Sequence, residues 1–336
     1  MSIKNNPQKI WAPLTWLIIA TLLLSGCGGT SKKVYHVGIL AFPGFMEMAD
    51  GFKAEMTELG YIEGENITYD LQLYIPGVDS IDSANEKLQK FISDGVDLIY
   101  AFPTEQAELA KAATEGTDIP VVFAFAGLEG TTLVKSVREP GGNITGVRFS
   151  GPESTAKRLE LLHQLVPNAK RIGYFYQKDY PTNAPALEKL RPVAAEMGLS
   201  LVEIPITSIE EMQADMDARA KQDDLGMDAI LQAPDALTHS PDCFAVILKF
   251  VAEHKLPLGA GQTNQAPGAL FAYSPYNSEV GALAAPIADK VLKGTPAGTI
   301  PVASPENHLV LNHKVAQELG LTIPQGLLRM ADEIIQ

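Results

Sequence analysis

Cysteine is almost missing from this chain, with only Cys27 and Cys243 in 336 residues. A framework of several disulfides is therefore excluded. Positive charge is also scarce: lysine and arginine total 26 against 40 aspartates and glutamates, a formal net charge of −14. No basic stripe relieves that balance, so no nucleic-acid partner is expected. Aromatic residues make up only 7% of the chain, and clusters of them are informative. Catalytic signatures are missing too: there is no Gly-x-Ser-x-Gly elbow, phosphate loop or His-Glu-x-x-His. The six histidines (His36, His163, His239, His254, His308 and His313) lack metal-ligand spacing with acids or thiols. Glu210-Glu211 and Asp223-Asp224 read as solvated charges. No enzymatic activity, cofactor or metal is expected.

What is present begins with an address. Lys4 and Lys9 precede an apolar run over residues 10–24, and Leu24-Ser25-Gly26-Cys27 follows. A run this short, after a basic start and before small residues, reads as a signal peptide rather than a membrane span. Cysteine at the cleavage point makes it a lipobox, so Cys27 is the expected lipidated first residue of the mature chain. Residues 28–33 then form a flexible leash. Cys243, inside an apolar segment, reads as a buried inert thiol.

The remaining chain states one pattern twice. Gly95-Val96-Asp97-Leu98-Ile99, with Ala101-Phe102-Pro103 and Ile119-Pro120-Val121-Val122, is echoed by Gly226-Met227-Asp228-Ala229-Ile230, Ala233-Pro234 and Leu256-Pro257-Leu258. Upstream, His36-Val37-Gly38-Ile39 and Glu58-Leu59-Gly60 match Arg171-Ile172-Gly173-Tyr174 and Glu196-Met197-Gly198. Apolar strand-like runs alternate with helical patterns in both halves, which indicates parallel sheets covered by helices. Two similar α/β lobes imply a cleft between them, where a ligand is sought. Turn-rich breaks at residues 139–143 and 259–268 are the expected crossings between lobes.

Several ordered motifs carry a resemblance: the lipobox, Glu58-Leu59-Gly60-Tyr61-Ile62-Glu63-Gly64, Gly141-Gly142-Asn143-Ile144-Thr145-Gly146-Val147, Leu159-Glu160-Leu161-Leu162, Leu165-Val166-Pro167-Asn168, Ala288-Asp289-Lys290-Val291-Leu292-Lys293-Gly294 and Leu319-Gly320-Leu321-Thr322-Ile323-Pro324. Together the chain resembles the substrate-binding lipoproteins of ABC transporters, a group that includes binders of tryptophan and other aromatic amino acids. The resemblance implies a type I periplasmic-binding-protein fold: two doubly wound parallel-sheet lobes joined by three crossings, the third near residues 300–304. Lobe 1 is then expected to comprise residues 34–145 and 266–298, and lobe 2 residues 146–265 and 299–336. It implies a monomer, lipid-anchored at the bacterial envelope, that passes a small molecule to ABC permease subunits. The alternative is a ligand sensor of the same fold that signals to a membrane partner.

In open parallel sheets, ligands lie beyond the carboxyl ends of strands. That rule singles out Phe42 and Phe45, Phe102 and Thr104, Phe125, Tyr176 and Asn183, Asp235, and Tyr273 and Tyr276. Thr104 is placed either to cap its helix or to meet a ligand carboxylate. Asp235 is placed either as a helix cap or as partner of a ligand ammonium group. The resemblance favours the ligand role for both, since each matches a recurrent residue of the family. The loop Gly127-Leu128-Glu129-Gly130 departs from the family's usual Thr/Ser-Asp-Pro stretch. Phe42, Phe45, Phe102, Phe125, Tyr176, Tyr273 and Tyr276 at strand ends point to an aromatic ligand, though some of them belong to the core. An amino acid or related carboxylate with an aromatic side chain is the expected ligand.

Overall fold

Runs that are apolar at every position become the central strands. Leu98–Phe102 and Val121–Gly127 are buried throughout their length, as parallel strands covered on both faces require. The computed structural model describes Met1, Ser2, residues 33–76 and residues 78–336. The expected signal peptide, Cys27 and most of the leash lie outside the described residues. Tyr35–Gln336 forms one compact unit.

Lobe 1 runs β1 (Tyr35–Ala41), α1 (Met46–Glu58), β2 (Ile67–Leu73), α2 (Ile81–Ser93), β3 (Leu98–Phe102), α3 (Thr104–Ala113), β4 (Val121–Gly127) and β5 (Ile144–Phe149). Its sheet is parallel in the order β2-β1-β3-β4-β5. Lobe 2 runs α4 (Gly151–Leu165), β6 (Arg171–Gln177), α5 (Asn183–Glu196), β7 (Ser200–Ile206), α6 (Ile209–Ala220), β8 (Ala229–Leu231), α7 (Ala236–His239), α8 (Pro241–His254), β9 (Leu258–Ala260) and β10 (Phe271–Ser274). These strands are wound β7-β6-β8-β9-β10, the same order as in lobe 1. The repeat in the sequence is thus a repeat of topology, with β3 matched to β8. After α9 (Asn277–Leu292) the chain adds β11 (His308–Asn312), α10 (His313–Glu318), α11 (Gln325–Met330) and β12 (Glu333–Ile335). β11 pairs antiparallel with β10 and parallel with β12, extending the second sheet to seven strands.

The crossings sit later than the turn-rich breaks indicate. Residues 144–149 are not a connector: β5 pairs along β4 and closes the first sheet, so the chain leaves lobe 1 at Ser150. The Gly/Pro-rich break at 259–268 is a 3-10 turn, Thr263–Gly268, within lobe 2. β10 pairs with β9 and β11 in the second sheet, against the expectation that residues from 266 return to lobe 1. The element that returns is α9, whose Val280, Ala284 and Ile287 are buried in the lobe 1 core with Met48 and Phe52. Ala303 still bridges Val147 of β5, which puts the third crossing at residues 304–307. Both breaks are turns that tie a lobe to itself, because glycine and proline mark tight turns and not domain borders.

α9 lies close against α1, and a Cβ at Gly281 would collide with the backbone carbonyl of Met48. Gly281→Ala is expected to destabilise the protein by about 1–3 kcal/mol through overpacking. Urea unfolding checks this: the midpoint should fall with the slope unchanged.

Candidate functional site

Thr104 follows β3 and Asp235 follows β8, the corresponding strands of the two lobes. The structure brings them to one cavity, lined by Phe45, Pro103, Thr104, Phe125 and Phe149 from lobe 1 and by Tyr180, Pro234, Asp235, Ala236 and His239 from lobe 2. The cleft is shut in this structure, and the cavity has a volume of only about 20 Å³.

Each polar member is fixed by its own lobe. The Thr104 hydroxyl does not cap α3, whose N-cap is Pro103. It accepts the Gly127 N–H at 3.0 Å, tying the start of α3 to the end of β4. Tyr180 lines the same cavity from lobe 2. Asp235 does cap a helix. Its Oδ1 accepts from the Thr238 N–H at 2.8 Å and the Thr238 hydroxyl at 2.9 Å. Its Oδ2 accepts from the Gln177 N–H at 2.8 Å and from Asn183 Nδ2 at 3.0 Å. Burial raises the Asp235 pKa, and these four donors work against that rise. No ion pair neutralises Asp235 among the described residues.

The apolar wall is a set of touching rings. Phe125 stacks on Phe149 with centroids 4.3 Å apart, and lies 5.3 Å from Phe45. Phe45 lies 5.7 Å from Phe42 and 6.4 Å from the His239 imidazole. Phe125 occupies a bulge in β4, where the pairing with β5 skips from Ala124 to Ala126. Its φ is 53°, a left-handed conformation that costs a phenylalanine about 1–2 kcal/mol. A bulge re-aims one side chain out of the strand's alternation, and here it turns Phe125 into the cleft. His239 Nδ1 lies 2.8 Å from the Asp235 carbonyl oxygen, which only accepts, so Nδ1 carries the proton and Nε2 is an acceptor. Burial pushes the His239 pKa down to about 4.

Beside this cavity, a mouth of about 250 Å³ is lined by Thr104, Glu105 and Glu108 against Gln177, Lys178, Asp179, Tyr180 and Pro181. Burial raises the pKa of both Glu105 and Glu108. A larger surface hollow of about 680 Å³ lies among Lys111, Thr114, Glu115, Thr132 and Asn143. It sits at the starts of β4 and β5, the opposite end from where open sheets bind ligands.

Of the residues singled out in the sequence, Phe45, Thr104, Phe125 and Asp235 line the shared cavity. Phe42 backs Phe45, and Asn183 backs Asp235. Four are placed elsewhere. Phe102 is buried in the lobe 1 core, 5.0 Å from Tyr100. Tyr176 and Tyr273 pack against the core of lobe 2. Tyr276 lies tilted against His308, 4.4 Å between ring centroids, and donates to Glu333. Sequence reasoning missed Phe149, Tyr180 and His239. Phe149 ends a strand that read as a connector, whereas Tyr180 follows β6 and could have been found by the strand-end rule.

The residues from 33 to 335 match the model of one family, described as ABC transporter substrate binding protein. The chain belongs to that family. Its members are solute-binding proteins that act outside the cytoplasm with an ABC permease as partner. This member is 30% identical to a tyrosine-binding protein of Clostridioides difficile (strain R20291), over 94% of this chain and 93% of the relative. Among solved structures it is similar to an ABC domain in complex with L-Trp from Streptococcus pneumonia, with TM-score 0.80, 25% identity, and coverage of 90% of this chain and 100% of that one. It is also similar to the ligand-free, open structure of a Clostridium difficile substrate-binding protein, with TM-score 0.65 at the same identity and coverage. The fold is accordingly a type I periplasmic-binding-protein fold with two parallel-sheet lobes. Among the described residues, no helix is long and apolar enough to cross a membrane.

The loop Gly127-Leu128-Glu129-Gly130 lies at the rim between lobes. A Cβ on Gly127 would strike the Thr182 methyl group, and one on Gly130 the Pro181 carbonyl. Thr182 cannot turn away freely, because its hydroxyl donates to the Pro234 carbonyl at 2.7 Å. Gly127→Ala is expected to shift the lobes toward separation, read as a larger radius of gyration by X-ray scattering. Adding Thr182→Ser, which removes the methyl group and keeps the hydroxyl, should restore closure. His239 gives a pH signature. Its folded pKa lies below the unfolded value of about 6.5, so its stabilisation is present above that pH and is lost as pH falls toward 4. Between pH 7.5 and pH 5 the wild type should lose about 2 kcal/mol relative to His239→Gln, measured by denaturant unfolding. Glu105, Glu108 and Asp235 titrate in both proteins and cancel.

Proposed function

We propose that this chain captures an aromatic amino acid between its lobes, outside the cytoplasm, and delivers it to an ABC importer. The observation that carries this reading is the make-up of the shared cavity, where Phe45, Phe125, Phe149 and His239 enclose Thr104 and Asp235. Rings of this kind recognise another ring by offset stacking and edge contacts. The tyrosine-binding relative and the tryptophan complex support the same ligand class. Asp235, buried and unpaired, is suited to attract a ligand ammonium group, although its four existing donors leave the contact to charge more than to new hydrogen bonds. Thr104 faces it from the other lobe.

A cavity of about 20 Å³ has room for about one water and none for an aromatic side chain. An aromatic ligand therefore enters only when the rings part, by rotation of the lobes about the three crossings. In this reading residues 1–26 are removed and Cys27 carries the lipid that tethers the monomer to the membrane. Phe102, Tyr176, Tyr273 and Tyr276 have no part in the contact set.

Thermal-shift measurements with tyrosine, tryptophan and phenylalanine against leucine and alanine test the ligand class. Ligand at a hundred times its dissociation constant adds about 2.7 kcal/mol of stability, several degrees of melting temperature. Aromatic amino acids should give that shift, and Phe149→Ala should weaken their binding about tenfold. No shift with any of them would overturn the reading. Loss of labelled amino acid uptake in a deletion strain checks delivery, whereas normal uptake with a lost response would mark a sensor.

A further inference from the structure

Arg158, on α4, is fully buried and has no carboxylate partner among the described residues. Its Nη2 donates to the Thr155 hydroxyl at 2.9 Å and to the Gln232 carbonyl at 3.2 Å, and its Nη1 lies 3.5 Å from the Tyr273 carbonyl. Nε has no hydrogen-bond partner, nor has the hydroxyl of Tyr174, buried nearby. A buried charge left without a counter-charge is costly, and proteins neutralise or pair such groups. This one is kept, with its pKa drawn down to about 10 by burial.

Its position is the informative part. Gln232 directly follows β8 and Tyr273 is next to last in β10, so the guanidinium spans the carboxyl ends of strands that flank β9. That is the cleft-facing end of lobe 2. His239, which lines the cavity, feels the Arg158 charge. Gln232 itself links this group to the same wall, its side chain donating to the Thr238 carbonyl at 2.8 Å and accepting the Gly261 N–H at 2.7 Å. Asp235 lies three residues beyond Gln232. One buried cation and one buried anion thus stand near the same strand end, each without an ion-pair partner. An α-amino acid carries the complementary pair of charges.

We propose that Arg158 is the positioning residue that makes the cleft select a carboxylate-bearing ligand, its charge complementing the ligand's carboxylate as Asp235 complements the ammonium group. The proposal rests on the amino-acid reading of the cleft. It needs no direct contact: in a low-dielectric interior a buried charge acts over several ångströms. The purely structural alternative is a brace between strand ends, which would affect all ligands alike.

The experiment compares each amino acid with its amide, which keeps the side chain and ammonium group and removes the negative charge. Calorimetry would use tyrosine and tyrosinamide, and leucine and leucinamide, on the wild type, Arg158→Gln and Arg158→Lys. The wild type should prefer the acid at least tenfold. Arg158→Gln should bring that ratio close to one, while Arg158→Lys should keep most of it. Equal weakening of acid and amide in Arg158→Gln, or an unchanged ratio, would overturn the proposal. Should Arg158→Gln fail to fold, the wild type alone still decides, since equal affinity for acid and amide overturns it. Binding of leucine but not tyrosine would sink the aromatic reading and leave the acid-to-amide ratio to judge Arg158. Failure of the wild type to bind any amino acid would overturn both.

Discussion

One buried carboxylate organises the ligand-facing edge of lobe 2. Asp235 gathers donors from the end of β6, the start of α5 and the first turn of α7, through Gln177, Asn183 and Thr238. Everything lobe 2 brings to the cavity depends on that gathering. Tyr180 sits in the loop between Gln177 and Asn183, and His239 ends the helix that Asp235 caps. A carboxylate has about four acceptor sites, and here all are filled. The group therefore acts first as scaffold, and its charge remains for whatever lies in the cleft.

Lobe 1 answers with backbone geometry more than with charge. The bulge at Phe125 re-aims one ring, and the Thr104 hydroxyl holds the end of β4 where the bulge leaves it. Two glycines after that point let the lobes close in tight contact, Gly127 against the Thr182 methyl group and Gly130 against the Pro181 carbonyl. The glycines of residues 127–130 thus have a steric meaning: they leave a rim that closes flush.

Much of this was legible in the sequence, and the limits are physical. The duplicated pattern around Leu98 and Ala229 foretold equal winding of the two sheets, and with it the pairing of Thr104 with Asp235 across the cleft. Strand-end aromatics were less well served. Side chains in a strand alternate between faces, so Tyr176 and Tyr273 turn into the helix layer of lobe 2 although they stand near strand ends. Phe125 escapes that alternation only because of a bulge, which no local pattern announces. Phe149 was hidden by the glycines at residues 141 and 142, which mark a turn before β5 and not the border of a lobe. Arg158 drew no notice because a lone arginine in a helix normally reads as solvated. Its burial is a tertiary fact.

The flush contact between Gly127 and Thr182 has a consequence for discrimination. A backbone edge meeting a fixed methyl group at a rim behaves like the jaws of a caliper: they touch only when the object between them is no thicker than the gap they leave. With the jaws met, the space beside Phe45, Phe125 and Phe149 is only about 20 Å³, so anything the size of a ring holds them apart by its own thickness. Lobe spacing is then a gauge of the thickness of whatever occupies the cleft.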